Sequence, residues 1–450
     1  MSFTYKKTKL FRRSRVLWGS LDRWRPRLVF WAGALAIGVV SVGFAKMADW
    51  AQHVFTGLTT GGSWNFLLPL VLAPAGFTLS AWLAMRYFPN AQGSGIPQAI
   101  AARHLPREED RGRLLSLKLA FGKILLTILG LLGGGSIGRE GPTVQVGASI
   151  MLQAARWGGM AHARGLILAG SAAGIAAAFN TPLAGIVFAI EEMGRTYEAR
   201  TNGLVLTAVI LSGLAAIALI GNYTYFGMTE EVVRTTRDWM MIVTCGVAGG
   251  ILGAGFSAAA LHLTLRIRRW TQVDRMRRAL LLAAGCGLAT AVIGIAFGGA
   301  TFGTGYEQAR GAIEGEAVSP LFFAGKLAST FLAMISGIPG GIFAPSLAVG
   351  AGLGSSIAVL FGTSIGLGAI FGMAGYFAGV VQAPMTAFVI ILEMTGNHDN
   401  VIAIMAAAML GYVTSRMISR EPLYHGLSRN FIAEAIRINR AQQRNETEAR

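Results

Sequence analysis

Three glycine-rich stretches carry the residues best suited to chemistry. They read Gly93-Ser94-Gly95-Ile96-Pro97, Gly138-Arg139-Glu140-Gly141-Pro142 and Gly340-Gly341-Ile342-Phe343-Ala344-Pro345. Each sets glycines before a proline and then an apolar helical pattern. Proline is accepted in a first helical turn because the N–H it lacks has no partner there. Glycine lets bare backbone approach a ligand. Each stretch therefore reads as a helix N-terminus with free amides, which carries partial positive charge and suits an anion. A kinked helix packed through glycine would account for any one of them alone. Three converging in an apolar chain would hold an anion without a full positive charge, and such a site can bind an ion yet release it.

Glu140 is the most informative single residue. An ionisable group deep in an apolar region is costly and is functional by default. Beside anion-binding amides its carboxylate could itself fill the anion site, and protonation would free it to leave. A group that alternates between blocking an anion and carrying a proton couples the two fluxes. The plain alternative is a carboxylate locked to Arg139 or another cation. The same stretch also fits unrelated patterns: a dinucleotide fingerprint at Gly133, Gly135 and Gly138, a nucleophile elbow at Gly134, Ser136 and Gly138, and half of a P-loop. No βαβ unit surrounds them, and Arg then Glu stand where a P-loop needs Lys then Ser or Thr.

Glu191 and Glu192 end the apolar run that begins at Pro182, and Arg195 and Arg200 follow, so this end reads as cytoplasmic. A carboxylate at a helix end is ordinarily just solvated, but Glu192 is the better candidate for an inner proton acceptor. Tyr424 lies just after the last apolar stretch. A phenol is a neutral hydrogen-bond donor that can close an anion site, but taken alone this one reads first as an interfacial belt tyrosine.

The chain that must position these residues is a membrane chain. It has 450 residues, 53% hydrophobic and only 14% charged, with 39 Lys and Arg against 22 Asp and Glu and a net charge of +17. Soluble domains carry roughly 25% charged residues. Abundant apolar residues exclude a disordered chain. Long apolar runs between the basic clusters argue against nucleic acid as a partner, and membrane lipid takes its place. Cys245 and Cys286 form no CxxC, and the six histidines are scattered without ligand spacing, so no disulfide, metal or other cofactor is expected. No enzymatic activity is expected either. Residues 1–29 read as a basic cytoplasmic arm with Lys6, Lys7, Lys9, Arg12, Arg13 and Arg15, and the run from about 28 to 49 is too long for a signal-peptide core. The arm could lie on the membrane as an amphipathic helix.

Apolar stretches fall near 28–50, 64–87, 114–133, 144–157, 163–190, 203–221, 237–265, 279–298, 318–336, 347–362, 365–392 and 399–415. Several fall short of the ~20 residues a straight span needs, and glycine and proline interrupt them. Broken helices survive at membrane depth only inside protein or beside a polar cavity. The chain also repeats itself. Gly122-Lys123 recurs as Gly325-Lys326; Gly138, Pro142 and Gly147 meet Gly341, Pro345 and Gly350; Gly170, Pro182 and Glu191 meet Gly372, Pro384 and Glu393. Gly93-Ser94-Gly95 matches Gly303-Thr304-Gly305, and Glu192 pairs with Met394. The basic arm places the start of the first repeat inside, and the loop at about 51–64, without Lys or Arg, belongs outside. The cluster Arg266, Arg268, Arg269, Arg275, Arg277 and Arg278 places the end of the second repeat's first span inside. The two halves therefore run in opposite directions, the signature of secondary transporters with a midplane site. The expected fold is an all-α polytopic membrane protein of two inverted repeats, at 30–222 and 223–420, with a cytoplasmic tail at 421–450.

These motifs in this order resemble the CLC family of chloride channels and proton-coupled chloride transporters. The carrying residues are GSGIP at 93–97, GREGP at 138–142, GIFAP at 341–345, NTPLAGIVFAIEEM at 180–193, and Tyr424. The resemblance spans about residues 30–430. It implies tilted and broken helices, one pore per subunit and a homodimer, and the regulatory CBS pair of some members has no counterpart. It makes Glu140 the external gating glutamate and Glu192 the internal proton acceptor. It makes Ser94 and Tyr424 side-chain ligands of chloride, helped by the amides of Ile342 and Phe343. Family channels commonly replace the inner acid with an apolar residue, so Glu192 favours exchange. Ser94 resembles chloride-selective members, since nitrate-selective relatives tend to carry Pro there. Gln98 stands where some bacterial members have Glu, with no consequence visible in sequence. The implied function is chloride/proton antiport in a bacterial-type inner membrane, with both termini cytoplasmic. The alternatives are a passive chloride channel of the same family, a sodium-coupled transporter of an organic anion, and a non-transporting membrane scaffold.

Overall fold

The structure is a computed structural model that describes residues 21–160, 163–194, 199–221 and 225–448. Most of the expected basic arm, from Lys6 to Arg15, lies outside the described residues, as do Arg195 and the side chain of Arg200. From Leu21 the chain is already helical. The first helix, α1, runs over Leu21–Thr60 without a break, so most of the expected loop at 51–64 is helix. At about 1.5 Å per residue its 40 residues span ~60 Å, twice a ~30 Å hydrocarbon layer. It therefore tilts strongly or projects beyond that layer.

The first set of helices continues with α2 (Pro69–Tyr87), α3 (Ile96–His104), α4 (Glu108–Leu114), α5 (Leu117–Leu132), α6 (Glu140–Gly158), α7 (Ala163–Phe179), α8 (Pro182–Phe188) and α9 (Ala199–Ile220). The second set is α10 (Thr236–Thr271), α11 (Arg275–Ala296), α12 (Tyr306–Ile313), α13 (Phe322–Ile335), α14 (Phe343–Phe361), α15 (Ile365–Val381), α16 (Pro384–Thr395) and α17 (Val401–Ile418). Apart from α4, each helix of the first set has a mate of similar length and order in the second. A final helix, α18 (Leu423–Glu448), has none. Among the described residues there is no strand, and eight helices are long and apolar enough to cross a membrane.

The matched glycines are crossing points. α6 and α7 touch where a Cβ on Gly147 would stand 2.3 Å from the carbonyl oxygen of Gly170. Their mates α14 and α15 touch likewise, with a Cβ on Gly350 2.7 Å from the oxygen of Gly372. Side chains at these four positions would push the helices apart, so the same crossing is built twice from the same residue type.

The apolar runs 163–190 and 365–392 are each two helices rather than one. Asn180 and Gln382 adopt left-handed backbone, φ 57° and 56°, and each stands two residues before a helix-starting proline. Left-handed backbone at a residue other than glycine is uncommon, and here it falls at matched places. The breaks give α8 and α16 their own N-termini. Those ends are served by the other repeat's acid: Glu393 accepts from the amides of Leu183 (3.1 Å) and Ala184 (2.7 Å), and Glu191 from those of Met385 (3.1 Å) and Thr386 (2.6 Å).

Candidate functional site

The three glycine-rich turns meet. The amide of Gly138 donates to the carbonyl of Gly341 and the amide of Gly341 returns the bond to Gly138, both at 2.7 Å. The amide of Gly93 donates to Ile338 (3.2 Å), and that of Gly340 to Gly93 (3.1 Å). Bare backbone is needed here: a Cβ on Gly141 would lie 2.3 Å from Ser94 Oγ, and one on Gly341 2.9 Å from the nitrogen of Gly141. The N-termini of α3, α6 and α14 thus converge, and their first-turn amides have no intrahelical acceptors.

Glu140 opens α6 and is fully buried. Its carboxylate faces its own amide and that of Ala344, so it lies among the converging N-termini. No ion pair with Arg139 forms among the described residues. The Arg139 guanidinium turns instead to Asp49 Oδ1 (2.6 Å) and the carbonyl of Ala45 (2.7 Å), both on α1. It also lies 5.8 Å from the ring centroid of Tyr225. The locked pair weighed from sequence is therefore not made. The cation serves α1, and the carboxylate is left to the amides.

Ser94 precedes α3, and Tyr424 lies in the first turn of α18. Ser94 Oγ and the Tyr424 hydroxyl are buried, face each other, and among the described residues have no further hydrogen-bond partner. The phenol lies opposite Ser94 and within electrostatic reach of both Glu140 and Glu192. Two hydroxyls facing each other leave one buried O–H to spare, which suits a further acceptor. Ile342 caps α14 and Phe343 begins it, so their amides belong to the free first turn. The Phe343 ring meets Phe377 at 4.8 Å, Tyr424 at 5.9 Å and Phe188 at 6.2 Å, which fixes this end of α14 in an aromatic cluster. The structure places Ser94, Glu140, Ile342, Phe343 and Tyr424 around this convergence of helix ends.

Glu192 is nearly buried, 2% exposed, in a π turn over Ala189–Gly194 that extends α8. Such turns leave carbonyls outside the regular ladder and are frequent at functional sites. Arg103 of α3 donates to the carbonyl of Met193 (2.7 Å), and His425 Nε2 lies 2.8 Å from that of Glu192.

Several supporting residues were not singled out from sequence. Lys123, wholly buried in α5, holds the carbonyls of Ala91 (2.5 Å) and Gly93 (2.7 Å) beside Ser94. Its mate Lys326 holds those of Thr301 (3.0 Å) and Gly303 (2.7 Å). Their pairing was visible in the repeat, but their task was not. Gln98 also acquires one: its amide donates to the carbonyls of Asn90 (3.2 Å) and Gln92 (2.6 Å), which an ionised glutamate could not do. A cavity of about 520 Å³ leads to Gly93, Ser94, Ile342 and Tyr424, and Arg268, Arg275 and Arg437 stand in its walls.

A family model described as voltage gated chloride channel matches residues 76–416. The H(+)/Cl(-) exchange transporter ClcA of Salmonella paratyphi A is 32% identical over 419 residues, 86% of this chain and 84% of its own length. ClcA of Salmonella agona is similar to the same extent. The crystal structure of a slow cyanobacterial Cl−/H+ antiporter superposes with a TM-score of 0.77 at 25% identity, covering 91% of this chain and 98% of the other. A CLC-type fluoride/proton antiporter shares the fold, with a TM-score of 0.76 at 23% identity over 91% of this chain and 99% of its own. A family match over most of the chain joins the resemblance in sequence, and the chain belongs to the CLC family of voltage-gated chloride channels and transporters.

Proposed function

We propose that this protein exchanges chloride for protons across a membrane, through one pore in each subunit of a homodimer. The observation that carries the reading is a buried carboxylate, Glu140, lying where three helix N-termini converge. In that place an ionised carboxylate is chemically a stand-in for the transported anion.

Ionised Glu140 fills the outer part of the anion path and blocks it. Protonation removes the charge that the amides favour, the side chain leaves, and chloride replaces it. Ser94 and Tyr424 donate to chloride at the next position inward, with the amides of Ile342 and Phe343. Glu192, near the inner end, takes the proton onward by a route that diverges from the chloride path. Arg268 and Arg275 belong to the cluster that charge bias places inside, so the cavity they line is the cytoplasmic mouth. On this reading the repeats span 30–222 and 223–420. The site lies between them, both termini are cytoplasmic, and the membrane is a bacterial inner membrane.

Flux from proteoliposomes tests the reading. A chloride gradient should drive protons uphill in the unmodified protein. Chloride movement without proton pumping would select the passive channel instead. Sodium dependence with uptake of an organic anion would overturn both.

A further inference from the structure

Tyr225 is 4% exposed and belongs to neither set of repeated helices. It lies in the segment that joins α9 to α10, and so has no mate in the other half. Its ring is fixed edge-on by Phe226 (4.9 Å), Tyr306 (5.1 Å) and Phe179 (5.9 Å). Its hydroxyl is thereby aimed at the gate: it lies 3.5 Å from Glu140 Oε1 and 3.5 Å from Arg139 Nη2. Arg139 is in turn anchored on Asp49, whose side chain is 59% exposed.

We infer that Tyr225 is a positioning residue for the gate, a latch whose hydroxyl holds the ionised carboxylate of Glu140 in its seat. The inference rests on the reading of Glu140 as the gate. The guanidinium donates to the phenol oxygen, which polarises the hydroxyl and makes it a better donor to the carboxylate. Both links, at 3.5 Å, are longer than ordinary hydrogen bonds and therefore weak. They bias the carboxylate toward its seat without fixing it, as a gate that must leave requires. A donor to a carboxylate favours its ionised form, so the latch opposes protonation and keeps the path closed until the outer side is more acidic. The titratable and charged groups around Glu140 are Arg139 and Asp49 on the outer side, Tyr225 from the linker and Tyr424 from α18. Of these, Tyr225 alone donates a hydrogen bond to the carboxylate through its side chain.

The test is the pH dependence of chloride efflux from proteoliposomes for the unmodified protein, Y225F, E140Q and the double variant. Y225F keeps the ring and its aromatic contacts and removes only the hydroxyl. The expected result is an activation midpoint moved to higher pH by roughly half a unit, so that efflux at a fixed pH on the rising limb increases about threefold. In the E140Q background, Y225F should change nothing. An unmoved midpoint in Y225F would overturn the latch while leaving the gate intact. Efflux of E140Q that still follows pH as the unmodified protein does would remove the gate, and the latch with it. An equal effect of Y225F with and without Glu140 would show a role in packing alone.

Discussion

Glu191 and Glu393 hold each other's helices: each ends one short helix and caps the N-terminus of its mate in the other repeat. The two capping interactions are equivalent, which is why the acids match across the repeat. The pair fastens the halves together close to the turn that carries Glu192. Its neighbour Glu192 aligns with Met394 across the repeat, so its acid is not part of this matched pair.

Removing either cap should therefore cost stability without touching the ions. Glu191→Ala loses bonds from two amides and the Thr386 hydroxyl (2.7 Å), whereas Glu393→Ala loses bonds from two amides. We expect about 1–2 kcal/mol for each, with the larger loss for Glu191. Thermal unfolding in detergent measures it. A variant of Glu191 that melts with the unmodified protein would remove the capping role.

Glu140→Gln should pass chloride and no longer move protons. The neutral side chain cannot fill an anion seat, so the path stands open at every pH. The unmodified protein should carry more chloride as pH falls, because on the proposed mechanism protonation is what empties the seat. The variant should be flat over the same range. Parallel chloride-electrode and proton-flux recordings check both statements, and persistent proton pumping would assign the coupling elsewhere.

Glu192→Gln should uncouple the ions from the inner side. Chloride still reaches Ser94 and Tyr424 through the cavity, but no inner acid takes up the proton. We expect chloride efflux within about threefold of the unmodified protein, as befits a group off the anion path, and proton pumping reduced to background. Unchanged coupling would take Glu192 out of the proton route.

Much of the fold was legible because the chain states it twice. Gly147 with Gly350 and Gly170 with Gly372 could be paired on paper, and they proved to be matched helix crossings. The meeting of three helix N-termini was legible because free amides need glycine and proline in a fixed order. The breaks at Asn180 and Gln382 were hidden inside continuous apolar runs, since left-handed backbone at a polar residue leaves no compositional mark. Asp49 and Tyr225 were hidden for another reason. They reach Arg139 and Glu140 from distant segments, so no local spacing connects them to the motif they serve.

The glycine crossings make a prediction with a built-in control. Gly147→Val and Gly350→Val each drive a side chain into the backbone of the neighbouring helix, and both should abolish the folded protein. Gly255 of α10 has open space around the position a Cβ would take, so Gly255→Ala should be tolerated and gain up to about 1 kcal/mol in helix preference. Yield of monodisperse protein from detergent extracts separates these outcomes. A well-folded Gly147→Val would mean that the crossing can widen.

Lys123 and Lys326 allow the proposed anion site to be separated from the scaffold. Both ammonium groups are buried against backbone carbonyls, and neither pairs with a carboxylate among the described residues. Replacing either with Met strips hydrogen bonds from buried carbonyls, and each carbonyl left unmated costs about 1–3 kcal/mol; that of Gly93 keeps the Gly340 amide at 3.1 Å. Both variants should therefore melt early. Their effects on chloride should differ. Lys123 holds the carbonyl of Gly93, next to Ser94, whereas Lys326 holds that of Gly303, next to Thr304. The Thr304 amide and hydroxyl are already taken by Gln52 Oε1 at 3.0 and 3.1 Å. Lys123→Met frees the loop that aims Ser94 and should weaken chloride binding roughly tenfold, the equivalent of about 1.4 kcal/mol. Lys326→Met should leave binding within about twofold. Calorimetric titration of chloride into both variants, at a temperature where each is folded, decides the matter. Equal weakening in the two would mean that the lysines act on chloride through overall stability or long-range charge, and that the grip on Gly93 is incidental.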